Sequence, residues 1–333
     1  MAAAQIALWA RDHSLTRAGL QAALWTKRTL VKTSLMRSTL HLVPASEFSI
    51  YIQALKQGRL RHMRRVMAKY GAITPALADE VTKAVVEAVG DEPMPRKELT
   101  ERIFSLGIVR GKPKKWFQLG WWGVARQAIM EGRLCYGPDN GQEVTFVRVD
   151  HWLPKQKRIE EAEAQRILLG RYLRAYGPAT PQDFSRWTGM TMQEVRPVWD
   201  SVAGKLAEVS VEGRGGFILL EDLEHLHDSD PAEPVLRLLP SFDPYLLGHA
   251  KKDHVVERRF YLLVYRKAGW ISPVILLNGR AIGTWSHERK GKGLSVEVRP
   301  FEKLSKSVGA LIEKEAESLA GFLEARCEVK FVN

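Results

Sequence analysis

Between residues 158 and 220, helix-start and helix-stop signals alternate at short range, which leaves few folds open to this part of the chain. Glu160 to Tyr176 carries Ile167, Leu168, Tyr172 and Leu173 at helical spacing, and Gly177-Pro178 ends the run. Thr180 is an N-cap candidate for a short helix from Pro181 to Trp187, with proline at the first helical position, where no N–H is needed. Gly189 breaks the chain. Thr191 then caps a third helix reaching about Val202, with Pro197 inside it expected to kink or delay it. Leu206–Val211 and Gly216–Leu220 read as short strands joined by Glu212-Gly213-Arg214-Gly215.

The same order recurs at 74–150. Thr74 to Val89 is helical, with Leu77, Val81, Val85 and Val89 along one side, and Asp91-Glu92-Pro93 turns the chain. Arg96–Leu106 and Lys114–Glu131 are the next two helices, and Leu134–Tyr136 with Val144–Val149 form a hairpin around Gly137–Gly141. Nearer the start, Ala2–Arg11 and Thr16–Thr26 read as helices, Leu30–Met36 and Ser38–Val43 as strands. Helix, turn, helix, turn, helix, hairpin is the winged-helix plan, and its repetition predicts a tandem array. The expected modules are 1–72 (incomplete at its N-terminus), 73–155 and 156–222. Either the first is a reduced copy or Met1 is not the true start. A β-rich domain over 235–333 follows, with strands Val235–Leu239, Val274–Leu277, Arg280–Trp285 and Leu294–Arg299, an Asn278-Gly279 hairpin turn, and a capping helix Lys303–Ala325. The fold class expected is α+β.

A chain of 333 residues with 45% apolar content can build several cores. Its net charge of +12 points to a polyanionic partner, because each phosphate neutralised releases counterions. The densest positive run lies on the predicted helix Ser46–Tyr70: Lys56, Arg59, Arg61, His62, Arg64, Arg65 and Lys69, with no acid among them. Two cysteines, Cys135 and Cys327, exclude a disulfide scaffold and a zinc–cysteine cluster. The segment Met1–Trp9 lacks a basic leader, and no apolar run approaches the ~20 residues of a membrane helix, so a cytoplasmic, nucleoid-associated protein is expected. His225, His227 and Asp228 fall in an acidic linker with no further ligands at matching spacing, so no metal is expected.

Four ordered stretches carry a resemblance: Leu35-Met36-Arg37-Ser38-Thr39-Leu40-His41-Leu42-Val43-Pro44; Leu238-Leu239-Pro240-Ser241-Phe242-Asp243-Pro244-Tyr245-Leu246-Leu247-Gly248; Gly269-Trp270-Ile271-Ser272-Pro273; and Asn278-Gly279-Arg280 running into Gly283-Thr284-Trp285. In that order they resemble the AlkZ-like winged-helix DNA glycosylases, including the YcaQ branch. The resemblance implies a C-shaped array of winged helices with a C-terminal β domain, encircling double-stranded DNA as a monomer without cofactor. It also implies hydrolysis of the N-glycosidic bond of alkylated purines, N7-alkylguanine above all, and in some members unhooking of interstrand crosslinks. The family's Gln-x-Gln or Gln-x-Asp motif would fall before Met1 here. Gln5 and Gln21, the glutamines near the start, have no Gln or Asp two residues later. No catalytic residue is therefore carried over. A late start and a member without catalysis (a regulator or damage sensor) both fit, whereas a protein-docking scaffold fits the charge poorly.

Along strand 35–43, Met36, Leu40 and Leu42 would pack inward while Arg37, Thr39 and His41 share the other face. The resemblance turns that polar face toward the lesion, with Arg37 on a phosphate and Thr39 and His41 on water or sugar. On the residues alone, a wing strand with one solvated face explains it equally. Asp243 either shapes the DNA-facing pore or is a turn residue before proline. Further DNA contacts are expected from Lys112, Lys114 and Lys115 before an aromatic helix bearing Trp116, Trp121 and Trp122, for which stacking on bases competes with a core role. Arg186, Arg196, Lys251, Lys252, Arg258 and Arg259 add to these, as does the loop containing Arg289, Lys290 and Lys292.

Overall fold

The computed structural model describes residues 2–70, 73–111, 117, 123–226 and 233–332. The chain folds as two units, Ala22–Leu206 and Met1–Gln21 with Ala207–Asn333. This division differs from boundaries at 72, 155 and 222. The first residues group with the C-terminal sheet, and the last hairpin parts from its three helices.

In the unit Ala22–Leu206, two hairpins are joined edge to edge. Strands β1 (Leu30–Ser34) and β2 (Leu40–Pro44) pair antiparallel from Leu30 opposite Pro44 to Ser34 opposite Leu40. β3 (Met94–Pro95), β4 (Leu134–Tyr136) and β5 (Thr145–Arg148) make the second set, and the sheet order is β2-β1-β4-β5-β3. One register pair, Lys32 opposite Tyr136, links the sets. β1 is covered on both faces, so Val31, Lys32 and Thr33 are all buried. The Lys32 ammonium is satisfied by Asp139 Oδ1 at 2.8 Å and lies 5.7 Å from the Tyr136 ring centre. Cys135 is buried on β4.

Helices pack around this sheet as the periodicity dictates. Thr74 caps Pro75–Ala88 by accepting from the Leu77 amide, and Ala78, Val81 and Val85 are buried. The basic helix runs Phe48–Tyr70 and turns Leu60, Met63 and Met67 into the same core as Leu99, Ile103 and Ile129. Arg61, His62, Arg64, Arg65 and Lys69 remain exposed. Thr180 with Asp183 and Thr191 with Glu194 form capping boxes that start Pro181–Thr188 and Met192–Asp200. Pro197 lies inside the second of these without delaying its start. Gly189, at φ 82°, ends the first in a left-handed conformation that a side chain would strain. Within the helix predicted over 114–131, Phe117 is helical and buried, and Arg126–Met130 forms a helix after a break at 123–125.

The other unit holds β6 (Leu206–Val211) and β7 (Arg214–Leu219), the last wing, although Leu206 itself falls on the first unit's side of the division. It also holds a five-stranded sheet of β8 (Leu236–Leu239), β9 (Val274–Leu277), β10 (Arg280–Lys290), β11 (Gly293–Pro300) and β12 (Arg326–Phe331), in reverse order across the sheet. Asn278 and Gly279 both take positive φ, as the tight β9–β10 turn requires. Helix Lys306–Phe322 caps the sheet and leads into β12, which pairs parallel to β11 and was not foreseen as a strand. Ile6 and Trp9 of helix Ala2–Trp9, with Ala10 just after it, are buried among Leu238, Trp285, Ile312, Leu319 and Phe322. An eight-residue helix is marginal alone, and this apolar seat holds it.

Trp9 is 1% exposed. Trp9→Ala is expected to cost about 3–5 kcal/mol in urea unfolding, and a loss under about 1 kcal/mol would remove it from the core. At the sheet junction, Asp139→Asn strands a buried ammonium and should cost about 2 kcal/mol, whereas Lys32→Met should be nearer neutral. Equal losses in the two variants would contradict the pairing.

Candidate nucleic-acid interface

The wing segment does not run straight. Met36–Ser38 is a 3-10 turn between β1 and β2 in which Arg37 (φ 51°) and Ser38 (φ 60°) are left-handed. This breaks the expected alternation. Met36 is buried, Leu40 is 57% exposed instead of packing inward, and Leu42 is half-buried. Arg37, Thr39 and His41 consequently do not form one strand face.

Each of the three is used locally. Arg37 Nη1 donates to the Trp187 carbonyl. A Cβ on Gly189 would lie 3.4 Å from the Arg37 Cα, so the turn seats directly against the end of helix Pro181–Thr188. Burial holds the Arg37 guanidinium below its usual range, Tyr176 opposes this, and Arg186 adds to it. Thr39 Oγ1 donates to the Met36 carbonyl at 3.1 Å. His41 Nδ1 lies 2.9 Å from the Thr39 carbonyl, which can only accept, so Nδ1 carries the proton and Nε2 keeps its lone pair. Burial drives His41 down to about 4 against that hydrogen bond, with Arg37 and Arg59 pushing the same way as burial. At neutral pH it is an uncharged imidazole.

Beside this turn the two hairpins enclose a cavity of about 490 Å³. Ser34, Ser38, Thr39 and Leu40 come from the first hairpin, Tyr136 and Phe146 from the second, and Arg96 and Arg126 from the helices behind. Arg59 was expected among the DNA-contacting charges of the basic helix. It is instead buried, with Nη2 donating to Ser34 Oγ at 3.3 Å. Burial first, and then the like charge of Arg126, lowers Arg59 to about 10. Arg96, Arg126, Tyr136 and Ser38 were not singled out from sequence. They lie in separate segments, and no spacing rule relates them.

The remaining expected contacts are dispersed. Arg61 pairs with Glu194, Arg64 lies 4.0 Å from Asp79, and Arg65, Arg186 and Arg196 are exposed in the same unit. In the other unit Lys251 is exposed, and Lys252 Nζ sits 4.9 Å from the Tyr265 ring centre. Arg289, Lys290 and Lys292 project at the tip of the β10–β11 hairpin, where Arg289 Nε donates to the Gly291 carbonyl and Lys290 lies 3.2 Å from Glu288. Asp243 is buried, its two oxygens held by Arg11 at 2.8 and 3.0 Å, and Oδ1 also accepts from the Tyr245 amide. Both turn and tie are structural roles. Lys112, Lys114, Lys115, Trp116, Trp121 and Trp122 lie outside the described residues, as do His227 and Asp228. Among the described residues no group of three His, Cys, Asp or Glu could hold a metal ion, and no helix is long and apolar enough to cross a membrane.

Three of the four quoted stretches meet in the C-terminal unit. Trp285 Nε1 donates to the Leu239 carbonyl at 2.8 Å, and the Tyr245 hydroxyl donates to the Gly279 carbonyl at 3.1 Å. The family model described as DNA glycosylase AlkZ-like matches residues 1–322. The chain belongs to the AlkZ-like DNA glycosylase family. An interstrand DNA cross-link repair glycosylase of Streptomyces sahachiroi is 33% identical over 305 residues, 88% of this chain and 78% of that protein. The solved structure of Streptomyces sahachiroi DNA glycosylase AlkZ superposes with a TM-score of 0.82 at 30% identity, covering 99% of this chain and 89% of that one. The α+β arrangement of winged-helix elements with a helix-capped β domain is thus the fold of this glycosylase family.

His41 gives a pH signature. Between its unfolded value near ~6.5 and about 4, the unfolded chain binds a proton that the folded imidazole refuses. Its contribution to stability is complete above pH ~6.5 and declines as pH falls toward 4. His41→Gln should flatten that part of the stability–pH curve, and the His41 ring resonances should titrate below pH ~5. Titration at ~6.5 would place the ring in solvent.

Proposed function

We propose that the protein binds duplex DNA and hydrolyses the N-glycosidic bond of N7-alkylated purines, acting as a monomer on nucleoid DNA without metal or redox cofactor. The match to the glycosylase family over residues 1–322 carries this reading. The surplus of Lys and Arg, +12 in all, supports a polyphosphate partner. The similar Streptomyces protein, a cross-link repair glycosylase, supports the extension to crosslinked purines.

The chemistry asks little of an acid. Alkylation at N7 already makes the purine a cationic leaving group, so the C1′–N9 bond breaks with its electron pair going to the base, which departs neutral. What remains is to stabilise an oxocarbenium-like sugar and to place one water for addition at C1′. A neutral imidazole with an acceptor nitrogen is suited to orient that water and take its proton. His41 is the residue proposed for this, with Thr39, on the pocket wall, supporting the water or the sugar.

Incubation with methylated duplex DNA should release 7-methylguanine and leave alkali-labile abasic sites above the spontaneous background, and His41→Ala should slow release by about 10²-fold. Salt-dependent binding with no release would point instead to a DNA-binding protein without catalysis. Weak, salt-insensitive binding would exclude both.

A further inference from the structure

The cavity between the joined hairpins is lined by two arginines and backed by a third. Arg96 and Arg126 form part of its wall, and Arg59 lies behind Ser34. Arg59 is 9% exposed, and its Nε and Nη1 have no hydrogen-bond partner among the described residues. From Arg110 to Met130 the sequence contains no Asp or Glu. A desolvated guanidinium facing another cation is unfavourable in the empty protein, and an anion in the cavity would reverse the sign of that interaction. We propose that this cavity is a phosphate site, with Arg96 and Arg126 contacting the oxyanion, Ser34 and Ser38 donating hydroxyls, and Arg59 supplying buried positive potential.

Phosphate fits better than the alternatives. Guanidinium groups offer forked donors matched to oxyanions. An N7-alkylated purine is itself cationic, so these arginines repel it, and the cavity is not the seat of the damaged base. At about 490 Å³ the space exceeds a bare phosphate. The apolar wall of Leu40, Ile129, Val144 and Phe146 would accept the attached sugar. Resting on the DNA-acting reading above, the first source considered is a backbone phosphodiester beside the lesion, and the second is a free phosphate or nucleotide.

Two measurements separate these, and neither depends on base release. The first is duplex binding by fluorescence anisotropy between 50 and 200 mM salt. Arg96→Met and Arg126→Met should each weaken binding by about tenfold and lower the slope of log affinity against log salt by about 0.9, the signature of one lost phosphate contact. Lys83→Met, an exposed residue paired with Glu87, is the control. The second is thermal unfolding with and without inorganic phosphate. Arg59→Met removes an unpaired buried charge, so it should unfold at a higher temperature than the parent in phosphate-free buffer. The parent should gain more from added phosphate than this variant. A changed salt slope assigns the site to DNA. Phosphate-dependent stabilisation with an unchanged slope assigns it to a free phosphate or nucleotide. If the variants keep the parent's slope and phosphate shifts neither melting curve, there is no phosphate site. Loss of 7-methylguanine release by the parent would sink the glycosylase reading alone, since both measurements here would still report.

Discussion

One edge-to-edge strand pairing organises the unit Ala22–Leu206. An unpaired strand edge is a template for any other chain, and here each hairpin covers the other's. The contact is short, a single register pair between Lys32 and Tyr136, so its position must be fixed by something other than a long ladder. A buried lysine does this. Its ammonium loses hydration and is compensated only where Asp139 lies, and a one-residue slip of β1 would move Lys32 to the opposite face and away from its carboxylate. The cavity follows from the same joint, because one wall comes from each hairpin.

The C-terminal unit is closed by contacts that are remote in sequence. Arg11 reaches Asp243 across 232 residues, and Trp9 stacks near Phe322 with ring centres 6.2 Å apart. His13 stacks on Trp9 and faces Glu315, whose carboxyl burial raises. The motif stretches that mark the family are, in this unit, hydrogen-bonded to one another. In this chain these stretches therefore have a packing role.

Much of the helical framework was legible because capping is local chemistry. Thr180-Pro181 and Thr191 announce helices whose N-terminal amides they satisfy, and Asn278-Gly279 announces a turn whose φ values few other residues adopt. The wing turn was illegible for the opposite reason. Arg37 and Ser38 are not residues that favour positive φ, and the conformation is held by Trp187 and the close approach of Gly189, about 150 residues away. β12 did leave a trace, since Cys327, Val329 and Phe331 alternate with Arg326, Glu328 and Lys330, but the preceding helical pattern obscured it. The burial of Arg59 also lay beyond a reading of charge along the helix, because only a neighbouring strand decides which arginine turns inward.

Cys135 sits in the centre of the joined sheet, where burial alone drives its thiol up to about 12. Thiolates, not thiols, attack soft electrophiles, and at neutral pH this sulfur stays protonated. An electrophile that reached this strand would therefore meet a neutral thiol, so the centre of the sheet holds a sulfur that is chemically quiet.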